Sequence, residues 1–258
     1  HCLMPQKLKV GLFDTCPVDL LRPSVAEATV ILLERAGFEV EVPPQSCCGQ
    51  VAFNNGEPEK NRQLAWQVIK SFQHYDHIVV PSGSCGGMIK IHYPELFAKD
   101  DRLPLVQRVC DNVHELTCFL RDIVGYAPPA KTTGLADRTI TYHDSCAGLR
   151  ELGIKQQPRD LLAICSDGTI REMPETEVCC GFGGTFCVKF PDVSNRMVSN
   201  KLNNALAVNA DMLLGGDVSC LLNIAGKARR AGIELEVRHI AEVLADWMDA
   251  PAIGEAAE

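Results

Sequence analysis

The chain has 258 residues, 46% of them hydrophobic and 22% charged, with a formal net charge of −8 and a pI near 5.4. This apolar content suffices for one large core or two ordinary ones of roughly 100–150 residues each. The acidic balance and the absence of a basic run exclude a nucleic-acid partner. No stretch approaches the roughly 20 apolar residues that a membrane helix needs, so no transmembrane segment is expected. Residues 1–7 lack the apolar core of a signal peptide. The chain reads as cytoplasmic, with any attachment to the inner face of a membrane made through partners.

In chain order, residues 10–14 read as a short strand running into Cys16. Residues 24–36 space Val25, Ala28, Leu32 and Leu33 as one face of a helix, which Gly37 ends. Residues 38–42 alternate as a strand that Pro43 and Pro44 stop, delivering Cys47 and Cys48. Residues 58–73 read as a helix with Leu64, Ala65, Val68, Ile69 and Phe72 on one side, and residues 77–80 as a buried strand leading to Cys85. Residues 100–138 interrupt this alternation with an expected helix at 113–124. The Pro- and Gly-rich stretch 125–134 follows as the linker, giving two domains, 1–130 and 131–258. Beyond it, residues 139–143 are a strand before Cys146, 159–165 a helix, and 169–173 a strand before Cys179 and Cys180. A helix at 193–209, a strand at 211–214, Cys220 at a helix start, a strand at 233–237 and a helix at 240–248 complete the chain.

Strands alternating with helices predict parallel sheets with right-handed crossovers, hence two pseudo-repeated Rossmann-like α/β domains. The repeat is also visible in the cysteines. Cys16, Cys47-Cys48-Gly49 and Cys85 recur as Cys146, Cys179-Cys180-Gly181 and Cys220, and the offset between the sets grows only from 130 to 135. Every one of these cysteines follows a strand, so each set should gather at the carboxyl edge of its sheet, where open α/β sheets place their sites.

Thirteen cysteines, an odd number in a chain with no secretion signal, argue against a disulfide framework. Four thiolates at one sheet edge repel one another unless a cation compensates, and soft metals meet that need. Two adjacent cysteines close poorly on a single tetrahedral ion, whereas a multi-iron cluster offers each its own iron. Gly49 and Gly181 let backbone amides point at sulfur, which stabilises an anionic cluster. The expected metal ligands are therefore Cys16, Cys47, Cys48 and Cys85 in one half, and Cys146, Cys179, Cys180 and Cys220 in the other. Cys187 and His143 are the further candidates. A satisfied structural role is the better reading for His143. Cys2, Cys110, Cys118 and Cys165 read as buried or incidental thiols. The run 181–184 lacks the G-x-G-x-x-G order of a nucleotide site. No catalytic residue is nominated.

The two cysteine sets, with the phrases Pro81-Ser82-Gly83-Ser84-Cys85, Cys179-Cys180-Gly181-Phe182-Gly183-Gly184-Thr185-Phe186 and His239-Ile240-Ala241-Glu242-Val243-Leu244, resemble the cysteine-rich CCG-domain family. That family includes the cysteine-rich subunit of heterodisulfide reductase and the glycolate oxidase iron–sulfur subunit, and the likeness is strongest to its lactate-utilization members. The resemblance implies an iron–sulfur electron-transfer component of an L-lactate oxidation complex, acting with other subunits that include a ferredoxin-like iron–sulfur protein. It also implies [4Fe–4S] clusters, non-cubane by similarity to heterodisulfide reductase. In the fuller family pattern the last cysteine of each set begins a Cys-x-x-Cys. Met88 and Asn223 stand at the second positions here, leaving four cysteines per site. The alternatives are a heterodisulfide or thiol reductase subunit and a zinc-stabilised scaffold, with zinc at one site.

Overall fold

The computed structural model describes residues 8–130 and 132–255. Residues 1–7, which include Cys2 and the segment read as no signal peptide, lie outside the described residues, as do Lys131 in the linker and residues 256–258.

Eight strands form two four-stranded sheets, and every pairing is parallel. The first holds β1 (Lys9–Leu12), β2 (Glu39–Glu41), β3 (His77–Val80) and β4 (Val113–Glu115) in the order β2-β1-β3-β4. The second holds β5 (Thr139–His143), β6 (Thr169–Ile170), β7 (Met212–Gly215) and β8 (Glu236–His239) in the matching order β6-β5-β7-β8. The expected pair of Rossmann-like halves is thus present. In each sheet the strand order reverses direction between the first and third strands, and such a switch point leaves a crevice at the carboxyl ends. Cys16 and Cys85 follow β1 and β3, and Cys146 and Cys220 follow β5 and β7, so each crevice receives two cysteines directly.

The connecting helices start and stop where local chemistry directs. Proline fixes a helical φ at the first position of Pro23–Arg35, Pro58–Phe72 and Pro191–Ala207. Gly37, at φ 98°, turns the chain out of the first of these into β2. The expectation for residues 100–138 fails in part. A helix at Leu103–Asp111 precedes β4, and Val113–Glu115 is a strand; only from Leu116 does the chain turn helical, through Val124. The first half therefore completes the same four-stranded sheet as the second. β4 is three residues long and too short to show alternation beside a helical apolar pattern.

Each sheet has one face covered by residues of its own half. Val68, Ile69, Phe72, Tyr93 and Phe97 cover the first, and Val198, Ala205, Leu221, Ile224 and Val237 the second. The largest core is common to both halves and joins Val10, Val25, Leu32 and Phe119 to Ile140, Leu161, Ile240 and Leu244. The packing across it is reciprocal. The closing helix of the second half, Ile240–Leu244, lies on Pro23–Arg35 of the first, and Leu116–Val124 of the first lies on Gln156–Cys165 of the second. A buried ion pair tightens one of these contacts. Arg22 Nε and Nη2 approach Glu242 Oε1 at 2.8 and 2.6 Å, and Ser24 Oγ donates to the same oxygen at 2.7 Å. The other oxygen, Oε2, accepts the His239 N–H at 3.1 Å, closing a capping box. No helix among the described residues is long and apolar enough to cross a membrane.

Glu242→Ala strands the buried Arg22 charge, and breaking a buried pair costs about 3–5 kcal/mol. The expected outcome is a lower urea midpoint with an unchanged dependence on denaturant. A variant as stable as the parent would contradict the tie.

Candidate metal centres

The turns after β1, β2 and β3 bring Cys16, Cys47, Cys48 and Cys85 together. Cys48 Sγ lies 3.2 Å from Cys85 Sγ, and Cys47 stands near enough to Cys16 and Cys48 for their thiols to perturb its own, so the four sulfurs form one chain of neighbours. The turns after β5, β6 and β7 repeat this order: Cys146 contacts Cys179, Cys179 contacts Cys180, and Cys180 contacts Cys220. None of the eight is in a disulfide.

The Cys-Cys-Gly turn is shaped by its glycine. Gly49 and Gly181 both sit at φ 86°, in the left-handed region, and each donates its N–H back to the first sulfur of the pair. The distances are 3.4 Å to Cys47 Sγ and 3.3 Å to Cys179 Sγ. A Cβ at Gly49 would stand 2.2 Å from Asn61 Oδ1, and one at Gly181 2.9 Å from the Ser194 carbonyl, so no larger residue fits. The carbonyl of the second cysteine is pinned as well. Tyr93 Oη donates to Cys48 O at 2.8 Å, and Asn223 Nδ2 donates to Cys180 O at 2.9 Å. Asn223, three residues after Cys220, thus holds the backbone of the site.

One carboxylate joins the two sets. Asp217, 2% exposed, caps the helix Val218–Arg230 that carries Cys220, its Oδ1 accepting the Ser219 N–H at 3.2 Å. Its Oδ2 accepts from Ser84 N–H and Ser82 Oγ, both at 3.0 Å, and so also caps the helix Gly83–Gly87 that carries Cys85. Beside it, Gly83 packs on Gly148 of the helix Cys146–Leu152; a Cβ at Gly83 would meet Gly148 Cα at 2.8 Å and Ser145 Oγ at 2.7 Å. The two quartets therefore sit on adjoining helices. Their N-termini, capped by Ser82, Ser145 and Asp217, favour the negative charge that clustered sulfur carries.

The chain of thiols divides its protons unequally. Cys47 accepts from Cys16, Cys48 and the Gly49 amide, which together draw its pKa down to about 2. Cys179 is drawn down to about 2 by the same set of donors, Cys146, Cys180 and the Gly181 amide. Their partners are pushed upward, Cys16 and Cys48 by bonding to Cys47, Cys146 and Cys180 by bonding to Cys179, and all by burial. Each quartet is thus a soft donor set in which one cysteine is drawn toward its thiolate form, and it suits a thiophilic metal.

The two sites differ around this common frame. Three residues before Cys146 stands His143; three residues before Cys16 stands Phe13. His143 is 1% exposed, and neither ring nitrogen has a hydrogen-bond partner among the described residues. Its donor atom and those of Cys180 and Cys220 lie within 4.8 Å of one another. Burial lowers its pKa to about 3, leaving a neutral imidazole. An unpaired buried polar group costs about 1–3 kcal/mol, so the expectation of a satisfied structural histidine is not met. Lys201, 1% exposed, donates to the Glu175 and Thr176 carbonyls and brings a positive charge to the neighbourhood of Cys179 and Cys180. The buried residues of the matching helix Pro58–Phe72 include no base. A cavity of about 260 Å³ opens over the second quartet, with Gln50 and Ser84 of the first half and Arg150 in its wall.

Cys187 lies outside this arrangement. It sits on the short helix Phe186–Lys189, and its thiol donates to the Gly184 carbonyl at 3.5 Å. Cys110 and Cys165 are buried in the apolar cores. Cys118 is half-buried on the helix after β4. Sequence reasoning misses Asp217 and Lys201. An aspartate just ahead of a helix bearing a cysteine is a readable cap, but its reach into the other half has no sequence signal, and a single lysine in a polar helix reads as surface.

The sequence profile of the CCG cysteine-rich domain matches residues 10–90 and 140–225, two segments that each enclose one quartet. The chain belongs to the cysteine-rich CCG-domain family. It is 42% identical over 240 residues to lactate utilization protein A 1 of Bacillus cereus (strain AH820) and to lactate utilization protein A of Bacillus thuringiensis (strain Al Hakam). Each alignment covers 92% of this chain and 98% of the relative. Among solved structures, that of a hypothetical protein from Helicobacter pylori superposes with a TM-score of 0.61 at 12% identity, over 96% of this chain and 50% of that one. This last likeness is one of fold, and the present chain spans half of that protein. Within the CCG frame the fourth strand of each sheet, β4 and β8, falls beyond the matched segments.

Two outcomes test the geometry. In reduced, metal-free protein, Cys47 and Cys179 should be alkylated by iodoacetamide at rates nearly flat from about pH 5 to 8, because a lowered pKa keeps them as thiolates throughout. Cys110 and Cys118, pushed up to about 12 by burial, should label last. Labelling of Cys47 and Cys179 that rises only through the ordinary thiol range would refute the assignment. Gly83→Ala should cost about 1–3 kcal/mol by overpacking against Gly148, read as a lowered urea midpoint.

Proposed function

We propose that the chain is an iron–sulfur electron-transfer component of L-lactate oxidation, with one centre held by Cys16, Cys47, Cys48 and Cys85 and another by Cys146, Cys179, Cys180 and Cys220. The observation that carries this is the twofold gathering of four sulfurs, adjacent pair included, at the carboxyl edge of each parallel sheet. A bound iron–sulfur cluster would supply one-electron storage at each edge. The naming of relatives 42% identical over nearly their whole length as lactate utilization proteins supports the substrate class.

What the chain itself contributes follows from the site. The Gly49 and Gly181 amides point N–H groups at sulfur, and the helix N-termini set positive dipole ends beside the sites, which favours the reduced, more negative state of a cluster. Asp217 holds the helices of Cys85 and Cys220 in one register, which keeps the two centres at a fixed separation. The cavity over the second quartet, with Arg150 and Glu151 both in its wall, gives that centre an approach from outside. Other subunits of the lactate system, a ferredoxin-like iron–sulfur protein among them, would exchange electrons with the chain. It would work in the cytoplasm, reaching a membrane only through them.

Anaerobically reconstituted protein should be brown and carry about eight irons with matching acid-labile sulfide if both sites hold four-iron clusters. Cys48→Ser and Cys180→Ser should each lose the metal of one half, and Cys165→Ser none. Lactate should reduce the clusters when the partner subunits are present. Colourless protein holding only zinc after anaerobic handling would overturn the proposal.

A further inference from the structure

The two quartets are alike in sulfur and unlike in nitrogen. On the first side, Phe13 fills the position ahead of the first cysteine and packs on Phe72 at 5.7 Å between ring centroids. That side chain offers no donor to a metal. On the second side the matching position, three residues ahead of the first cysteine, presents His143, whose imidazole is sealed from solvent and bonded to no protein group among the described residues. Its donor atom falls within 4.8 Å of both Cys180 Sγ and Cys220 Sγ. Around a tetrahedral ion with bonds of about 2.3 Å to sulfur and about 2.0 Å to nitrogen, donors lie about 3.5–4 Å apart. These three atoms therefore lie within reach of one metal ion after a small inward adjustment of the side chains. His143 is held in place from both sides. It ends β5, paired to Gly215 of β7, and Asp144 beside it is fixed by Arg159 at 2.9 Å and Lys155 at 2.7 Å. The ring is carried by the end of a paired strand.

We propose that the second centre has five protein donors, with His143 bound to the same metal ion as Cys180 and Cys220, while the first centre has four. This rests on the reading of the quartets as metal centres and adds to it that the two are chemically different. Imidazole is neutral where thiolate is charged, so a nitrogen donor distinguishes the second centre from the first in electronic structure as well as in access. In Rieske centres, replacing cysteine by histidine on one iron raises the potential.

The test uses the full chain, reconstituted anaerobically with iron and sulfide after labelling with ¹⁵N-histidine, and pulsed EPR of a paramagnetic state. The expected result is a strong hyperfine coupling to one directly bonded nitrogen. That coupling should survive in Cys48→Ser, which retains only the second centre, and vanish in His143→Gln. His143→Cys, which offers a sulfur in the same place, should keep the iron and lose the nitrogen signal. Release of iron from the second centre to a chelator should quicken about tenfold or more in His143→Gln. A wild-type protein with full iron and sulfide but no nitrogen coupling would overturn the inference and leave the cluster reading intact, as would a coupling unchanged in His143→Gln. Protein that takes up no iron at all would overturn both.

Discussion

The Asp217 carboxylate is the point on which the arrangement of the two sites turns. Parallel winding alone gathers each set of sulfurs at its own sheet edge, but it leaves the two edges free to slide past each other. A buried carboxylate cannot remain unpaired in a low-dielectric interior. Asp217 is satisfied only when N–H groups of its own helix and of the helix after β3 meet it together. The shared cap thus adds, at the sheet edges, a polar register to the apolar packing that already joins the two halves. The close approach of Gly83 to Gly148 allows no intervening side chain and keeps that register tight.

Much of this is legible in the sequence, for reasons that can be named. The strands Thr139–His143 and His77–Val80 coincide with their expected bounds, because both are short runs rich in β-branched or aromatic residues. The cysteine repeat discloses the sites because chemistry at a sheet edge has to sit just after a strand. What misleads is residues 113–124. There a three-residue strand passes directly into a helix, and the apolar spacing of the helix extends back over it. The fold makes β4 by pairing Ile78, Val79 and Val80 with Val113, His114 and Glu115, a relation between distant segments that no local pattern reports.

The same limit governs the site. Cys187 neighbours the second quartet in sequence yet turns to a carbonyl of its own loop, whereas His143, which reads as structural, has no hydrogen-bond partner at either ring nitrogen among the described residues. Sequence proximity ranks candidates by distance along the chain. The fold ranks them by whether the side chain has anything else to bond. The asymmetry of the halves is of this kind: Phe13 and His143 hold matching positions, and only the surroundings show that one completes a core and the other faces sulfur.

The reciprocal packing of closing helices has a consequence for how such a molecule is put together. Each half leaves one apolar helix face uncovered and covers the corresponding face of the other, in the manner of an isologous pair. Two copies of a single ancestral half would have had the same need and the same means of meeting it. Carrying both halves on one chain removes the dilution penalty of association and leaves each free to differ from the other. A histidine could enter one of them without appearing in the other, a difference that strict symmetry forbids.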